Sequence, residues 1–381
     1  MVKLSDLLDV ELLKNHIDNK MISVQRHPSL PLQIFNYTHK AAHESAWGDG
    51  TIDYCRGLIT DLDGVVVSRG FKKFHNLNTA SIPETMVENL PKVTPAVTEK
   101  FDGSLGILYQ YEKEYGIATR GSFTSPQALW ATAWLKERVQ HNRVVLPAWG
   151  SMETWLFEII YNANRIVLKY DFEGLVLLSI LDTRTGAETH HEVTIWRGHD
   201  CGFDVTQLVR NKDIRELAAE NKPNKEGYVV TYSHGPDRPP LKVKVKFEDY
   251  VRLHRIVTGM NARSVWEMCK NGTPFDSTEM PQHFQKWFAS WVDRLTVEYC
   301  EIESALEIAW IHRPIYDLSV LNARQNRAAF ARYVLREAPQ LKSLMFLLAD
   351  GKPVHGAIWD MIEPRGDDRS FRDEREEKGI I

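Results

Sequence analysis

A lysine two residues before an aspartate, followed by a Gly-Ser pair, occurs in the segment TEKFDGSLG at residues 98–106. Residues 93–98 and the apolar run 105–111 each predict a strand, and Asp102-Gly103 is the expected turn between them. The segment is therefore either a hairpin with a solvated lysine or a strand end that presents Lys100 as a nucleophile. The second interpretation requires other groups in the chain that activate the amine and hold its substrate.

Cations on strands could supply part of that site. The segment LKVKVKF at 241–247 alternates strictly, so Lys242, Lys244 and Lys246 share one face of a predicted strand and apolar residues share the other. This lysine face is either a solvated surface or the lining of a site. If it surrounds Lys100, like-charge repulsion would lower the pKa of that lysine and supply neutral amine at pH 7. Further cations beside apolar strand residues, which together suit a nucleoside triphosphate, are Arg56, Lys73 and Arg120.

Two carboxylates lie in or beside apolar strand segments. Glu158 lies within TWLFEIIY at 154–161, and Glu226 opens EGYVVTY at 226–232. A carboxylate in such a run is costly unless it is paired or binds a ligand. Each is therefore either an ion-paired edge residue or part of a metal or nucleotide site.

The composition limits the class of protein. The chain has 381 residues, of which 47 are basic and 51 acidic, so nucleic-acid contacts would need a local basic surface. Its four cysteines form no CxxC pair, which favours reduced thiols in the cytosol. The N-terminal sequence does not resemble a signal peptide, and the longest apolar run, 174–181, is too short to span a bilayer. These features predict a soluble, cytoplasmic protein without a membrane partner.

The periodicity of the sequence changes near residue 250. The preceding part is mainly strand-like, with a helix that begins after Ser125 and Pro126 and a second helical segment at 204–221. The following part has helical spacing, and the end is a charged segment poor in apolar residues. We therefore predict an α+β chain with domains at 1–255 and 256–364 and a flexible tail at 365–381.

Seven segments resemble, in order, the motifs of bacteriophage-type ATP-dependent RNA ligases, the first RNA ligase family of the covalent nucleotidyltransferase superfamily. They are YCRGLITDLDG (54–64), FKKFHNLN (71–78), KFDGSL (100–105), RGSFTSPQAL (120–129), LFEIIYNANRIVLKY (156–170), EGYVV (226–230) and KVKFEDYVRLH (244–254). A single KxDG is weak evidence, whereas seven ordered elements are strong evidence. The resemblance implies an adenylyltransferase domain of ligase-type antiparallel sheets, unrelated to the ATP-grasp fold, followed by an all-helical domain.

The resemblance also implies roles for individual residues. Lys100 would attack the α-phosphate of ATP and become lysyl-AMP, Asp102 and Gly103 would hold the turn, and Lys244 and Lys246 would neutralise the α-phosphate. Glu226 would help to hold a divalent Mg²⁺ or Mn²⁺, and Glu158 would contact either the nucleoside ribose or the metal. The ATP contacts implied are Tyr37, Arg56, Lys73, Glu99, Lys100, Arg120, Glu158, Lys244 and Lys246. Arg120 replaces the usual lysine of the family, and Tyr250 matches an aromatic position without an assigned role.

The implied substrate is RNA with 5′-phosphate and 3′-hydroxyl ends, with nicked tRNA and RNA repair as candidate contexts. The protein would act as a monomer, and a viral gene is among its candidate sources. The helical segment is either a packing domain with solvated charge or a reader of RNA shape. Its basic candidates for RNA contact are Arg263, Lys286, Arg324, Arg327, Arg332 and Arg336.

Several alternatives remain open from the sequence. A DNA ligase or capping enzyme of the same superfamily usually continues into a small β-barrel, whereas helices follow here. A non-catalytic RNA-end binder is a further alternative, although every catalytic position is occupied. TDLDG at 60–64 imitates a phosphatase signature with Asp61 and Asp63, but we predict a hairpin turn there.

The segment HHEVTIWRGHDC at 190–201 is rich in potential metal ligands. We interpret it as a strand that places His190 and His191 on opposite faces, and the further spacing to His199 and Cys201 fits no zinc pattern. We therefore expect no metal there.

Overall fold

The computed structural model describes residues 2–209, 212–235, 237–278, 280–314, 323–366 and 368–370. The chain divides into two compact units between His254 and Arg255. Of the predicted tail, only 365–366 and 368–370 belong to the described residues, so the prediction of flexibility lies outside them.

The first unit is built on three sheets. Its strands are β1 (Ile22–Arg26), β2 (Leu32–Tyr37), β3 (Arg56–Asp61), β4 (Val66–Ser68), β5 (His75–Asn76), β6 (Ala96–Lys100), β7 (Ser104–Tyr111), β8 (Glu114–Ala118), β9 (Glu153–Ile160), β10 (Gly174–Asp182), β11 (Asp204–Val205), β12 (Gly227–Tyr232) and β13 (Leu241–Lys246). The strand orders are β1-β2-β3-β4, β11-β10-β9-β7-β8 and β5-β13-β12-β6. Neighbouring strands are antiparallel except β10 with β11 and β13 with β5.

Helices accompany these sheets and build the second unit. Those that begin in the first unit are α1 (Leu4–Leu7), α2 (Val10–Asp18), α3 (His39–His43), α4 (Thr51–Tyr54), α5 (Pro126–Gln140), α6 (His191–Asp200), α7 (Ile214–Ala219) and α8 (Glu248–Gly259). The second unit contains α9 (Ala262–Asn271), α10 (Gln282–Ile311), α11 (Ala323–Glu337), α12 (Lys342–Ala349) and α13 (His355–Met361). The predicted α+β class is confirmed.

The alternating segment 241–247 forms the predicted strand and positions the later site. Val243, Val245 and Phe247 pack in a core with Tyr228 and Val230 of β12. Burying a side chain of this size contributes about 1.5–3 kcal/mol. Because this apolar face is fixed by burial, the register of the lysine face is fixed as well.

The predicted start of α5 is confirmed. The Ser125 hydroxyl accepts a hydrogen bond from Ala128 N at 3.2 Å, and Pro126 occupies the first turn. Ala128, Ala131 and Leu135 are buried, and the last two join a core with strands β7 to β10. The helix therefore covers the sheet that contains Glu158.

The Asp63-Gly64 turn is also confirmed. Asp61 Oδ1 accepts hydrogen bonds from Asp63 N at 3.0 Å and Val65 N at 2.7 Å, and Gly64 has a φ of 78°. Strands β3 and β4 pair in antiparallel fashion around it. Asp61 thus holds a hairpin turn.

The expectation of a hairpin at Asp102-Gly103 is wrong. Strand β6 pairs with β12, whereas β7 pairs with β8 and β9, so the turn carries the chain from one sheet to another. A Cβ on Gly103 would lie 2.5 Å from the carbonyl oxygen of Ile159. The glycine is needed because the turn crosses the neighbouring backbone at close range.

The strand interpretation of 190–201 is also wrong, since His191–Asp200 is helix α6. Thr194 and Gly198, four residues apart, are both buried, which is the spacing of one helix face. A Cβ on Gly198 would lie 2.4 Å from Val205 Cγ2, so the helix packs closely against β11. His191 Nε2 bonds to the carbonyl of Thr206 at 2.8 Å and serves packing.

The predicted helix at 204–221 is shorter than expected. Asp204 and Val205 pair in parallel with Val176 and Leu177 of β10, and only Ile214–Ala219 is helical in the described part of this segment. Pairing with a buried strand outweighs the helical tendency of the local sequence.

The helical unit has its own core and its own ion pairs. Leu306, Val334, Leu344, Met345 and Ile358 from four helices are buried together.

Within the described ranges, no helix has the combination of length and apolar character needed to cross a bilayer.

Candidate active site

Strand pairing places Lys100 beside the start of β12. Gly227 pairs with Lys100 on one side and with Lys246 on the other, so the preceding residue, Glu226, lies between the two lysines. Gly227 has a φ of 146°, and a Cβ there would lie 1.9 Å from the carbonyl oxygen of Val245. Glycine is therefore required where three strands bring these charges together.

Glu226 forms a buried ion-pair triad with the two lysines. Its side chain is 2% exposed, and its carboxylate accepts from Lys100 Nζ at 2.7 Å and lies 2.9 Å from Lys246 Nζ. Burial alone would lower the pKa of Lys100, but the carboxylates of Glu226 and Glu158 raise it above its ordinary value. The expected lowering of this pKa is wrong, because the attraction of these carboxylates outweighs the effect of burial.

Asp102 supports the turn through four hydrogen bonds. Its Oδ2 accepts from the backbone N–H groups of Val167 and Leu168 at 3.0 and 2.9 Å, and its Oδ1 accepts from the Tyr250 hydroxyl at 2.8 Å. The Asp102 N–H donates to the Tyr170 hydroxyl at 2.8 Å. The carboxylate is 5% exposed. Asp102 thus ties the turn after Lys100 to segment 167–170 and to α8.

Glu158 reaches the same turn from β9. Its Oε1 accepts a hydrogen bond from Gly103 N at 3.0 Å, and the residue is 9% exposed. Burial raises the pKa of Glu158 to about 7, with Lys100 opposing this rise and Glu226 and Asp102 adding to it. The carboxyl group can therefore change its protonation state near neutral pH.

The three lysines of β13 have different surroundings. Lys242 Nζ donates to both carboxylate oxygens of Glu188 at 2.7 Å, and its side chain is 9% exposed. Lys244 Nζ lies 4.6 Å from the centre of the Phe74 ring. Burial, together with the charges of Arg56, Lys100 and Lys73, lowers the pKa of Lys244 well below its ordinary value. Lys242 forms a structural ion pair, whereas Lys244 forms no salt bridge with a carboxylate in the described part of the chain.

A second cationic cluster surrounds the hydroxyl of Tyr37 at the end of β2. Arg120 Nη1 donates to this oxygen at 2.8 Å and Lys73 Nζ at 3.3 Å. Burial opposes ionisation of Tyr37, yet the charges of Arg120, Arg56 and Lys73 lower its pKa to about 8. Arg56 Nη1 is buried without a hydrogen-bond partner among the described residues. A buried guanidinium donor without a partner is suited to an anionic ligand.

An inner cavity of about 190 Å³ lies where these groups meet. The predicted site residues in its lining are Arg56, Glu99, Lys100, Gly103, Glu158 and Lys244. Phe71 and Phe74 complete an aromatic wall. The cavity therefore combines the Lys100 amine, further cations and aromatic side chains, which suits an aromatic base with an attached phosphate.

The remaining predicted residues lie around this cavity and are not in its lining. Glu226 contacts Lys100, and Lys246 contacts Glu226. Asp102 supports the turn after Lys100. Tyr37, Lys73 and Arg120 form the cluster beside Arg56. Glu99, which is in the lining, accepts a hydrogen bond at Oε2 from Lys225 Nζ at 2.8 Å.

Sequence reasoning missed Phe71, Phe74 and Tyr170. The FKKFHNL segment, with two aromatics beside its lysines, contained a signal for the first two.

The carboxylates allow a limited metal site. Among the described residues, no group of three or more His, Cys, Asp or Glu side chains is arranged to hold an ion. Glu158 and Glu226 supply two hard oxygen donors that interact electrostatically. Mg²⁺ is commonly held by one or two carboxylates together with substrate phosphates and water. The donor set fits a divalent ion that arrives with a nucleotide.

Several known proteins are similar to this chain. The model of a family described as RNA ligase matches residues 54–251, slightly more than half of the chain. A Thermovibrio ammonificans protein named "Putative RNA ligase" is 29% identical over 209 residues, which cover 53% of each chain. An Autographa californica nuclear polyhedrosis virus protein named "Putative bifunctional polynucleotide kinase/RNA ligase" is 24% identical over 318 residues, covering 77% of this chain and 44% of the viral one.

Among solved structures, the chain is similar to an archaeal ATP-dependent RNA ligase at 14% identity and a TM-score of 0.45, with 91% and 96% of the two chains covered. The chain spans about half the length of the curated relatives it matches. The resemblance noted in the motifs is confirmed by the family match. The residues that surround Lys100 fall within the matched segment or border it, and the chain belongs to the RNA ligase family.

Proposed function

We propose that this chain is an ATP-dependent RNA ligase that joins 5′-phosphate and 3′-hydroxyl RNA ends through lysyl-AMP and RNA-adenylate intermediates. The observation that supports it best is the position of Lys100 at the edge of a cavity with uncompensated cations. Lys244 has a depressed pKa, and Arg56 has a buried donor without a described partner. These groups would gain most from a bound phosphate.

In the first step Lys100 would attack the α-phosphorus of ATP. A P–N bond forms, the bond to the bridging oxygen breaks, and its electron pair leaves with pyrophosphate. The Lys100 ammonium, whose Nζ lies 2.7 Å from Glu226 Oε2, must first release a proton to solvent. After attack the nitrogen releases a second proton to solvent, which leaves the phosphoramidate. Lys244 and Arg56 would stabilise the charge that develops on the phosphate.

Glu158 and Glu226 are the residues that would hold a divalent cation. A bound Mg²⁺ or Mn²⁺ would neutralise charge on the triphosphate. Engagement of the carboxylates by a cation would also weaken their hold on the Lys100 ammonium. Since those carboxylates raise the pKa of Lys100, loss of their charge would favour the neutral amine.

The later steps would return Lys100 to its free form. A 5′-phosphate oxygen of RNA attacks the lysyl-AMP phosphorus, the P–N bond breaks as the lysine nitrogen takes a proton from solvent, and RNA-adenylate forms. A 3′-hydroxyl then attacks the 5′-phosphorus, releasing AMP and a proton and forming the phosphodiester bond. Asp102 would keep the lysine in place through both transfers, since its carboxylate is fully used in holding the turn.

The wider role is also a proposal. We place the enzyme in RNA repair, with nicked tRNA as a candidate substrate, as a monomer in the cytoplasm, where the four free cysteines would stay reduced. The strand-rich domain would carry the chemistry and the helical domain would contribute to RNA selection. Basic and acidic residues are equal in number between residues 255 and 372, fifteen of each, so such selection would depend on local contacts.

The deciding experiment is labelling with α-³²P ATP and a divalent metal. We expect label that survives denaturation and alkali but is lost in acid, and none with Lys100→Ala. Lys113→Ala, at the exposed turn between β7 and β8, is the matched control and should label normally. Better labelling by GTP would favour a capping enzyme, and failure of a labelling-competent protein to join RNA while joining nicked DNA would favour a DNA ligase.

A further inference from the structure

We propose that a second cleft, beside the inner cavity, binds a single-stranded stretch of RNA next to the reacting end. This outer cleft encloses about 730 Å³, and its lining includes Trp47, Tyr54, Lys72, Lys73, His75 and Arg238. It shares Phe71, Phe74 and Lys242 with the inner cavity, so the two spaces are adjacent. The proposal rests on the proposed function, because it assumes that an RNA end reacts in the inner cavity.

The size of the outer cleft argues for a ligand larger than the tail of a triphosphate. Its volume is nearly four times the 190 Å³ of the inner cavity. Each nucleotide needs space for a base and for a phosphate, and a cleft of this kind can hold several nucleotides. A triphosphate tail would leave most of this space empty.

Aromatic side chains in the lining offer surfaces for stacking. Trp47 is partly exposed, and its ring meets Tyr37 edge-on at 5.0 Å and His75 at 5.6 Å between ring centres. Burial and the charges of Lys73 and Lys244 lower the pKa of His75 to about 4, so its ring is neutral at pH 7. Every nucleobase can stack on an aromatic ring, whereas a phosphate makes no stacking contact. The lining therefore favours nucleotides over a simple anion.

Cations lie at separate places along the cleft. Lys72 is 42% exposed and lies over the Tyr54 ring at 5.5 Å. Arg238 is exposed on the β12–β13 connection, where its Nε donates to the carbonyl of His234 at 3.2 Å. Arg238 forms no ion pair with a carboxylate in the described part of the chain. Cations at intervals along a groove suit successive phosphates of a strand.

The acids of the lining weaken this positive field only in part. Glu188 is neutralised by Lys242, with both oxygens at 2.7 Å from its ammonium. Burial raises the pKa of Asp53, which disfavours its charged form, and Lys72 lies 3.8 Å from it. Glu84 remains as a single acid at the rim. The cleft therefore retains a net attraction for a polyanion.

The experiment compares Lys72→Ala/Arg238→Ala with wild-type protein and with the control Lys113→Ala, all as full chains. Binding is measured by fluorescence anisotropy with two labelled single-stranded oligoribonucleotides over a range of salt. One has a 5′-phosphate and a blocked 3′ end, and the other has a 3′-hydroxyl and no 5′-phosphate. Lysyl-AMP formation from ATP and joining of pre-adenylated RNA are measured in parallel.

We expect the double variant to bind at least one oligonucleotide about tenfold more weakly, with joining reduced to match. Loss of two phosphate contacts should reduce the slope of log K against log salt by about 1.4. Lysyl-AMP formation should stay within about twofold of wild type. The oligonucleotide that loses affinity identifies the strand in the cleft. Arg238→Glu, a charge reversal on an exposed connection, should reproduce the loss if the double variant unfolds.

Three outcomes would overturn the proposal. The first is unchanged binding and joining in both variants. The second is absence of oligonucleotide binding by wild-type protein. The third is a loss confined to lysyl-AMP formation, which would assign the cleft to the triphosphate tail. Absence of label in wild-type protein would instead overturn the proposed function. The binding measurements would still decide whether the cleft takes RNA.

Discussion

The two units of the molecule contain cations in different surroundings. In the strand-rich unit, Lys244 and Arg56 are largely enclosed, and neither forms a salt bridge with a carboxylate among the described residues. In the helical unit, the exposed Arg263 forms an ion pair with Glu363, and the partly exposed Lys270 forms one with Asp360. Lysine and arginine side chains are thus enclosed without a salt bridge in the first case and form ion pairs near the surface in the second.

This difference shows where function is expected to lie. An enclosed cation without a counter-ion is unfavourable for folding, so its presence indicates a ligand that compensates it. A surface ion pair contributes little to stability and indicates no ligand. Within one strand, Lys242 and Lys244 repeat the same contrast, which allows it to be tested by matched substitutions.

The largest effect is expected at Lys244. Lys244→Ala should reduce the rate of lysyl-AMP formation about 10²–10³-fold, because it removes a preorganised charge from the phosphate site. Rapid-quench labelling with ATP measures this rate. The unfolding midpoint should not fall, since the substitution also removes an unfavourable enclosed charge. A variant that labels normally would show that the uncompensated lysine is not a ligand site.

Lys242→Ala should mainly affect stability. It leaves the buried Glu188 carboxylate without its ion-pair partner, which we expect to cost about 3 kcal/mol in the free energy of unfolding. Denaturant titration measures the loss. Substituting both residues, Lys242→Met with Glu188→Leu, should recover much of it. If Lys242→Ala were as stable as wild type but failed to label, the contrast between the two lysines would be reversed.

Glu158 should set part of the pH dependence. Its folded-state pKa of about 7 lies above that of an ordinary carboxyl, so the carboxylate is lost as pH falls through about 7. Labelling should therefore decline on the acid side in wild-type protein. Glu158→Gln should label about tenfold more slowly near pH 8 and show a flatter profile below it. Identical profiles for both proteins would remove Glu158 from the ionisation that limits the rate.

The smallest effect is expected at a surface ion pair of the helical unit. Lys270→Ala removes a partner of Asp360, whose side chain is 62% exposed, and should change the free energy of unfolding by about 1 kcal/mol or less. Lysyl-AMP formation should not change. A large loss of labelling would show that the helical unit is coupled to the chemistry, and the comparison of the two units would fail.

Much of this arrangement could be predicted from the sequence. Alternation over 241–247 fixed which lysines share a face, and the Ser125-Pro126 pair identified the start of α5. The ordered motifs identified the family. These features depend on local periodicity or on fixed motifs, both of which are visible in a single sequence.

Other features depend on contacts between distant residues. The Lys242–Glu188 pair and the Tyr250–Asp102 hydrogen bond join positions 54 and 148 residues apart. The sign of the pKa shift at Lys100 depends on distances to carboxylates and to lysines, and the sequence supplies neither. The strand prediction for 190–201 is wrong because the helix there buries Thr194 and Gly198, and the partners of that buried face are not visible in the sequence.

The Tyr250 hydrogen bond has a consequence for the construction of chimeric enzymes. Exchange of the helical unit between relatives is a direct way to ask which part selects the RNA. Since Tyr250 near the start of α8 donates a hydrogen bond to the carboxylate of Asp102, a junction placed before this residue would exchange a support of the lysine together with the helical unit. A chimera joined there could lose adenylylation for reasons unrelated to RNA. Grafts should therefore retain the native chain through at least Tyr250, with lysyl-AMP formation as the test that each graft is intact.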